Sequence, residues 1–333
     1  MSGRKTSFIA SLPKAELHLH LEGSIEPATL LELQQRHGKA GTLEDVEKLY
    51  QYSDFRGFLM AFKDVTEWLR TPEDYELITY RLMEHLKTQN VLHAEVFVSV
   101  GVNLWRKQDF AALFEGLDRG RVRGEQDFGA SLLWIFDAVR QFGAEPAQKV
   151  AELAARFRDR SVVGFGIGGD ERQGAPELFR DVFAYAADQG LHLTAHAGET
   201  GGPESIWGAL NLKAERIGHG LTAGKDPELI EQLAERQVPV EVCVTSNVLT
   251  GVCANLEDHP IRHYFDEGLM ITLNTDDPAM FRTTLTREFE QAQQAFGFTE
   301  EQLRELARNS FEASFLPPAK KLELLQRIDS EVV

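Results

Sequence analysis

The sequence predicts an α/β fold, a (β/α)8 TIM barrel, and three observations carry that prediction. Short apolar runs recur eight times along 333 residues. Helical segments separate them, which indicates a parallel sheet. At this length a closed barrel in a single domain, 1–333, is favoured over a division into two. The runs are 16–20, 92–98, 130–136, 162–167, 192–196, 216–218, 240–244 and 270–274. Most are rich in Val, Ile, Leu or Phe, and several are nearly continuous rather than alternating, as in strands buried on both faces.

The helices between them follow start and stop signals. Residues 109–125 have helical periodicity, and segments 146–158, 176–189 and 227–236 each open with Pro in the first turn. Gly190 stands in the cap position that ends one of them. Between the first two strands, residues 25–90 read as wholly helical, with helices from Glu26-Pro27 and over 42–51, 54–69 and 72–89. That exceeds one crossover helix, so part of it is expected to cap the barrel mouth as a lid. Residues 300–328 are helical, broken by Pro317-Pro318, and are expected to complete the outer ring.

Composition excludes several classes of function. The net charge is −17, with 52 acidic against 35 basic residues. Such a surface repels phosphate backbones and anionic lipid, so neither nucleic acid nor membrane is an expected partner. The two cysteines, Cys243 and Cys253, are too few for a disulfide framework and fit a reducing compartment. Residues 1–9 hold no apolar leader run, and no run of about 18 apolar residues occurs. The expectation is a soluble cytoplasmic protein. The sequence carries no mark of an oligomeric state.

Function in such a barrel sits at the C-terminal ends of the strands. His18 and His20 stand two apart on the first strand, so both side chains take the same face. Converging imidazoles are half of a metal site; the alternative is an edge strand with two solvated histidines. Strand five ends at His196 and Glu199, strand six at His219, and strand eight at Asp276-Asp277. Four of the ten histidines therefore lie at strand ends, together with a carboxylate pair. His93 and His192 read as core or structural residues, and His37, His85, His259 and His263 as surface or loop. Asp170 and Glu171 read as caps of the following turn. Ser246 and Asn247 read either as ordinary strand and loop hydrogen bonding or as support for the site. Phe55, Phe58, Leu59 and Phe62 form one apolar helix face.

The motifs His18-Leu-His20-Leu-Glu-Gly-Ser, His196-Ala-Gly-Glu199, Arg216-Ile-Gly-His219-Gly, Thr245-Ser246-Asn247 and Asn274-Thr-Asp-Asp-Pro278 occur in this order. With them the chain resembles the adenosine/adenine deaminase family of the metal-dependent amidohydrolases, from Leu12 to about residue 315. The resemblance implies hydrolytic deamination at C6 of an adenine ring. His18, His20, His196 and Asp276 are the expected ligands of one Zn2+ per subunit, a set that leaves room for water, with iron or manganese as other fitting ions. Such a metal lowers the pKa of its water towards neutrality. Glu199 would protonate ring N1, which requires a pKa raised by burial. His219 would orient the water and take or share its proton. The resemblance also places Asp277 at purine N7, the Gly169 N–H at N3, His20 and Glu22 among the substrate-binding residues, and the Phe55–Phe62 helix in the pocket wall.

Competing readings are weaker. Gly164-Phe-Gly166-Ile-Gly168-Gly169 satisfies Gly-x-Gly-x-x-Gly, but on a fourth strand with an acidic loop behind it, a poor cradle for pyrophosphate. A catalytically silent barrel would be expected to lose Glu199 or Asp276. The His-x-Glu and Pro-Cys-x-x-Cys pattern of cytidine-type deaminases is absent. Within the family the expected substrate is an adenosine-type nucleoside, with free adenine or a 5′-modified nucleoside such as aminodeoxyfutalosine as alternatives. Two departures bear on this choice. Glu22 stands where an Asp that contacts the ribose 5′-hydroxyl is usual, and Gly166 replaces an Asp.

Overall fold

In the computed structural model, which describes residues 8–52 and 54–330, the eight apolar runs are eight parallel strands. They are β1 Lys14–His20, β2 Val91–Val98, β3 Ser131–Val139, β4 Val162–Gly168, β5 His192–Ala197, β6 Arg216–His219, β7 Val240–Val242 and β8 Ile271–Leu273. Residues 1–7, which include most of the stretch read for a leader, and the Phe55 side chain lie outside the described residues. The strands stand in sequence order, each parallel to the next. The ring closes where β1 meets the residues after β8. His20 N–H donates to the Asp276 carbonyl at 2.8 Å, and Asp276 N–H donates to that of His18 at 3.1 Å. The Asn274 side-chain oxygen accepts the N–H groups of Leu17 and His18 at 2.9 and 3.0 Å. This joint fixes the distance between two groups of expected ligands.

Two strands differ from expectation at their C-terminal ends by more than one residue. β3 continues three residues past Phe136 and carries Asp137 inside the barrel. A carboxylate reads as a break in an apolar run, yet this one is buried. β7 stops at Val242, because Val244 already begins a short helix, Val244–Leu249.

The insert between β1 and β2 forms helices Pro27–Arg36, Leu43–Glu47, Phe55–Thr66 and Pro72–Thr88. Thr42 and Thr71 each close a capping box, and Asp54 caps the third helix through Gly57 N–H at 2.7 Å. That third helix lies over the barrel mouth. Phe58 packs on Phe281 with ring centres 4.9 Å apart, and Tyr52 Oη donates to the Met280 carbonyl. The lid is thus tied to the segment that follows β8.

Helix Pro72–Thr88 packs against helix Phe110–Phe128 at a distance set by glycine. A Cβ at Gly116 would lie 1.8 Å from the Pro72 carbonyl oxygen. No flexible side chain can move aside there, so Gly116→Ala is expected to cost about 1–3 kcal/mol despite alanine's better helix propensity. The denaturant midpoint reads this cost; an unchanged midpoint would mean that the helices part freely. Helices Glu300–Ala313 and Pro318–Ser330 complete the outer layer, split by the expected proline pair. No helix among the described residues is long and apolar enough to cross a membrane.

Candidate active site and metal centre

β1 presents His18 and His20, β5 presents His196, and Asp276 follows β8. One donor atom from each falls within 4.8 Å of the others. His20 Nε2 lies 3.1 Å from His196 Nε2 and 3.3 Å from Asp276 Oδ1. His18 Nε2 lies 3.5 Å from the same oxygen and is buried without a hydrogen-bond partner. Burial works against a charged His18, but the nearby carboxylates of Asp276 and Glu241 push it up to about 10. Burial pushes His20 down to about 4. Burial also opposes the Asp276 charge, yet His18 and the other surrounding imidazoles hold it well below the usual carboxylate range. Three imidazoles and one carboxylate converging on an orphaned nitrogen fit a divalent transition metal.

Behind the cluster lies a buried chain of charges. His18 Nδ1 donates to Glu241 Oε2 at 2.7 Å, which leaves Nε2 bare for the cluster. Glu241 Oε1 accepts from Arg216 Nε at 2.6 Å, and Arg216 reaches Glu95 on its other side. The ring of Phe315 covers the guanidinium at 3.8 Å. Glu95 also meets His93 Nε2 at 3.2 Å, so His93 is structural as expected. His192 is structural too, but its side chain is 42% exposed, stacked on Phe315 and paired with Glu215.

Glu199 stands beside the cluster in a cavity of about 220 Å3 that His20, Asp137, Gly169, His219 and Asp277 also line. Burial, with the charges of Asp276 and Glu171 beside it, pushes the Glu199 carboxyl up to about 8. Asp277 is pushed well above its ordinary value by burial and by the adjacent Asp276, and its Oδ1 is buried without a partner. The two neighbouring aspartates are thus pushed in opposite directions, Asp276 towards the charged form and Asp277 towards the neutral one. His219 and Asp276 both hold left-handed backbone, φ +63° and +65°. Such strain costs about 1–3 kcal/mol per residue and aims these side chains off their strand ends.

Glu171 does not cap its own turn. Its carboxylate accepts the N–H groups of Gly198, Glu199, Thr200 and Gly201 at 2.7–3.0 Å and so holds the loop that carries Glu199. Asp170 does cap, through Arg172 N–H at 3.1 Å. Ser246 and Asn247 support the site. Ser246 Oγ donates to Asp276 Oδ2 at 2.7 Å, and the Asn247 side chain meets His219 Nδ1 at 3.1 Å. His259 was expected at the surface or in a loop; it lies in a loop and is buried, 5% exposed, against Asn247.

Phe58, Leu59 and Phe62 wall the cavity. Glu22 is not part of its lining; it lies behind the wall, where its Oε1 accepts the Ser99 N–H at 3.0 Å. Asp137 does line it, and its Oδ1 has no hydrogen-bond partner. No motif marked this residue in the sequence. The Gly-x-Gly-x-x-Gly match lies mostly inside β4, with Gly169 just beyond its end, and a short 3-10 turn, Glu171–Gln173, rather than a full helix comes next.

The family model for adenosine deaminase matches residues 13–331. An aminodeoxyfutalosine deaminase of Streptomyces coelicolor is 40% identical over 330 residues, covering 97% of this chain and 85% of that one. The crystal structure of an adenine deaminase from Arthrobacter aurescens superposes with a TM-score of 0.92 at 31% identity, covering 96% and 99% of the two chains. A zinc-bound amidohydrolase from Burkholderia ambifaria superposes with a TM-score of 0.87 at 27% identity, covering 99% and 94%.

Proposed function

The chain belongs to the adenosine deaminase family, and from that premise we propose hydrolytic deamination of a 6-aminopurine nucleoside whose 5′ end is modified, of the aminodeoxyfutalosine type. The observation that carries the choice is Glu22. Its Oε1 is committed to Ser99 N–H, its Oε2 is buried without a hydrogen-bond partner, and the residue stands outside the cavity lining, which argues against a carboxylate contact to a 5′-hydroxyl. The 40% identity to an aminodeoxyfutalosine deaminase supports the same reading. Free adenine is the second reading, favoured by the likeness to an adenine deaminase structure and by the same lack of a ribose contact.

The reaction exchanges the C6 amine for a water oxygen and releases ammonia. A divalent metal, proposed as one Zn2+ held by His18, His20, His196 and Asp276, would supply the charge that makes water a nucleophile near neutral pH. Glu199, kept protonated by burial, donates to ring N1 and so makes C6 electrophilic. Asp277, whose carboxyl is pushed well above its ordinary value by burial and by Asp276, donates to N7, and the Gly169 N–H meets N3. The apolar wall of Phe58 and Phe62 keeps bulk water from the ring. A cytoplasmic location is part of the proposal, supported by two free, buried cysteines.

The test is ammonia release by the zinc-loaded enzyme with aminodeoxyfutalosine, adenosine and adenine. The expected result is the highest kcat/KM for aminodeoxyfutalosine. A winning adenine would select the second reading, and a winning adenosine would show that another group reads the 5′-hydroxyl. No turnover of any of them would overturn the proposal.

A further inference from the structure

We propose that a directed chain of hydrogen bonds, Ile261 to His259 to Asn247 to His219, fixes the tautomer of His219 so that its Nε2 carries the proton towards the cavity. His259 is then a positioning residue, acting through Asn247. The chain itself stands on geometry; only its catalytic consequence rests on the deaminase reading.

One group in the chain has no choice of role. A backbone N–H can only donate, and Ile261 N–H lies 3.2 Å from His259 Nδ1. His259 Nδ1 is therefore an acceptor without a proton. The ring can then be neither imidazolium nor the Nδ1–H tautomer, so its proton sits on Nε2. Nε2 lies 3.2 Å from the Asn247 side chain and must meet the oxygen of the amide. That orients the amide NH2 towards His219 Nδ1, 3.1 Å away. His219 Nδ1 in turn accepts, so its ring is neutral and holds its proton on Nε2. That atom lies 3.8 Å from Glu199 Oε2. Asn247 and His219 are buried, and so is His259, which leaves little room for water to compete in the chain.

The consequence changes the proton accounting. The sequence led to the expectation that His219 takes or shares the proton of the water. A ring that already bears a proton on Nε2 cannot take one there; it donates, orienting the incoming oxygen and stabilising the charge that grows on it. Glu199 then handles every transfer. Its proton goes to N1; the carboxylate so formed takes one proton of the water as oxygen adds at C6; and that proton passes to the amine. As ammonia departs, the new C6 hydroxyl gives its proton to the Glu199 carboxylate and becomes the carbonyl. The product keeps the N1 proton, and Glu199 ends the cycle protonated, as it began.

Nitrogen-15 NMR of the zinc-loaded enzyme with labelled histidine tests the tautomer directly, the His219 signals being identified by their loss in His219→Asn. The expected result is a protonated Nε2 and a bare Nδ1 on His219. A proton on Nδ1, or on both nitrogens, at neutral pH would overturn the proposal even if the enzyme turned over no aminopurine. In parallel, His259→Ala should lower kcat about 10–100-fold with KM and zinc content little changed. His259→Gln, whose amide can still donate to Asn247, should recover part of the loss. Wild-type kcat in His259→Ala, or a loss of activity that merely tracks lost zinc, would overturn the positioning role.

Discussion

Glu199→Gln should keep its metal and lose about 100- to 10,000-fold in kcat. The side chain keeps its shape, and the loop that carries it is held by Glu171 through four backbone N–H groups, not by the Glu199 carboxyl. What is lost is a proton that can be given to N1. The carboxyl is matched to that task because burial raises it to about 8, while a cation at the cluster 276–196–18–20 pulls it back down. The wild-type rate should therefore fall as the pH rises past the carboxyl's value in the loaded enzyme, at or below about 8, because the acid form disappears. Glu199→Gln should lose that alkaline limb along with its rate. A variant that turns over at the wild-type rate with a full metal complement would remove Glu199 from the chemistry.

The site was legible in the sequence where a residue's spacing or its place at a strand end carried the information. His18 and His20 share a face because a strand has a two-residue period, and His196, His219 and Asp276 follow from the end at which a barrel keeps its loops. What was not legible lies in contacts between distant segments. Glu241 sits in a three-residue strand that reads as Val-Glu-Val, yet its carboxylate spans His18 and Arg216 from across the barrel. Glu171 reads as a cap by its local chain, but its partners stand 27–30 residues away. Asp137 lies inside a strand at the point where the apolar run is interrupted, and only the closed barrel turns it into the cavity. Glu22 differs in kind. A motif position suggested a substrate contact, and in the fold its Oε1 accepts the Ser99 N–H while its Oε2 is buried without a partner.

His18→Ala should lose bound metal and, with it, activity, whereas Glu241→Gln should retain the site but weaken it. The difference follows from where each group stands. His18 Nε2 is the orphaned nitrogen of the cluster, so its removal takes one of four donors. Glu241 touches only the far nitrogen, whose proton it holds in place, and removing such a partner typically weakens metal binding about 10–100-fold. Glu241→Gln carries a second penalty, because it takes one of two carboxylates from a fully buried Arg216. Breaking a buried pair costs about 3–5 kcal/mol, towards the lower end here since Glu95 remains. Metal titration and denaturant unfolding of the two variants separate these effects. His18→Ala should lose metal with little penalty from unpaired charge, and Glu241→Gln should lose stability with metal recoverable at higher concentration. A full metal complement in His18→Ala would show that β1 is not a ligand strand, and unchanged metal affinity in Glu241→Gln would show that the orientation of His18 is set by Asp276 alone.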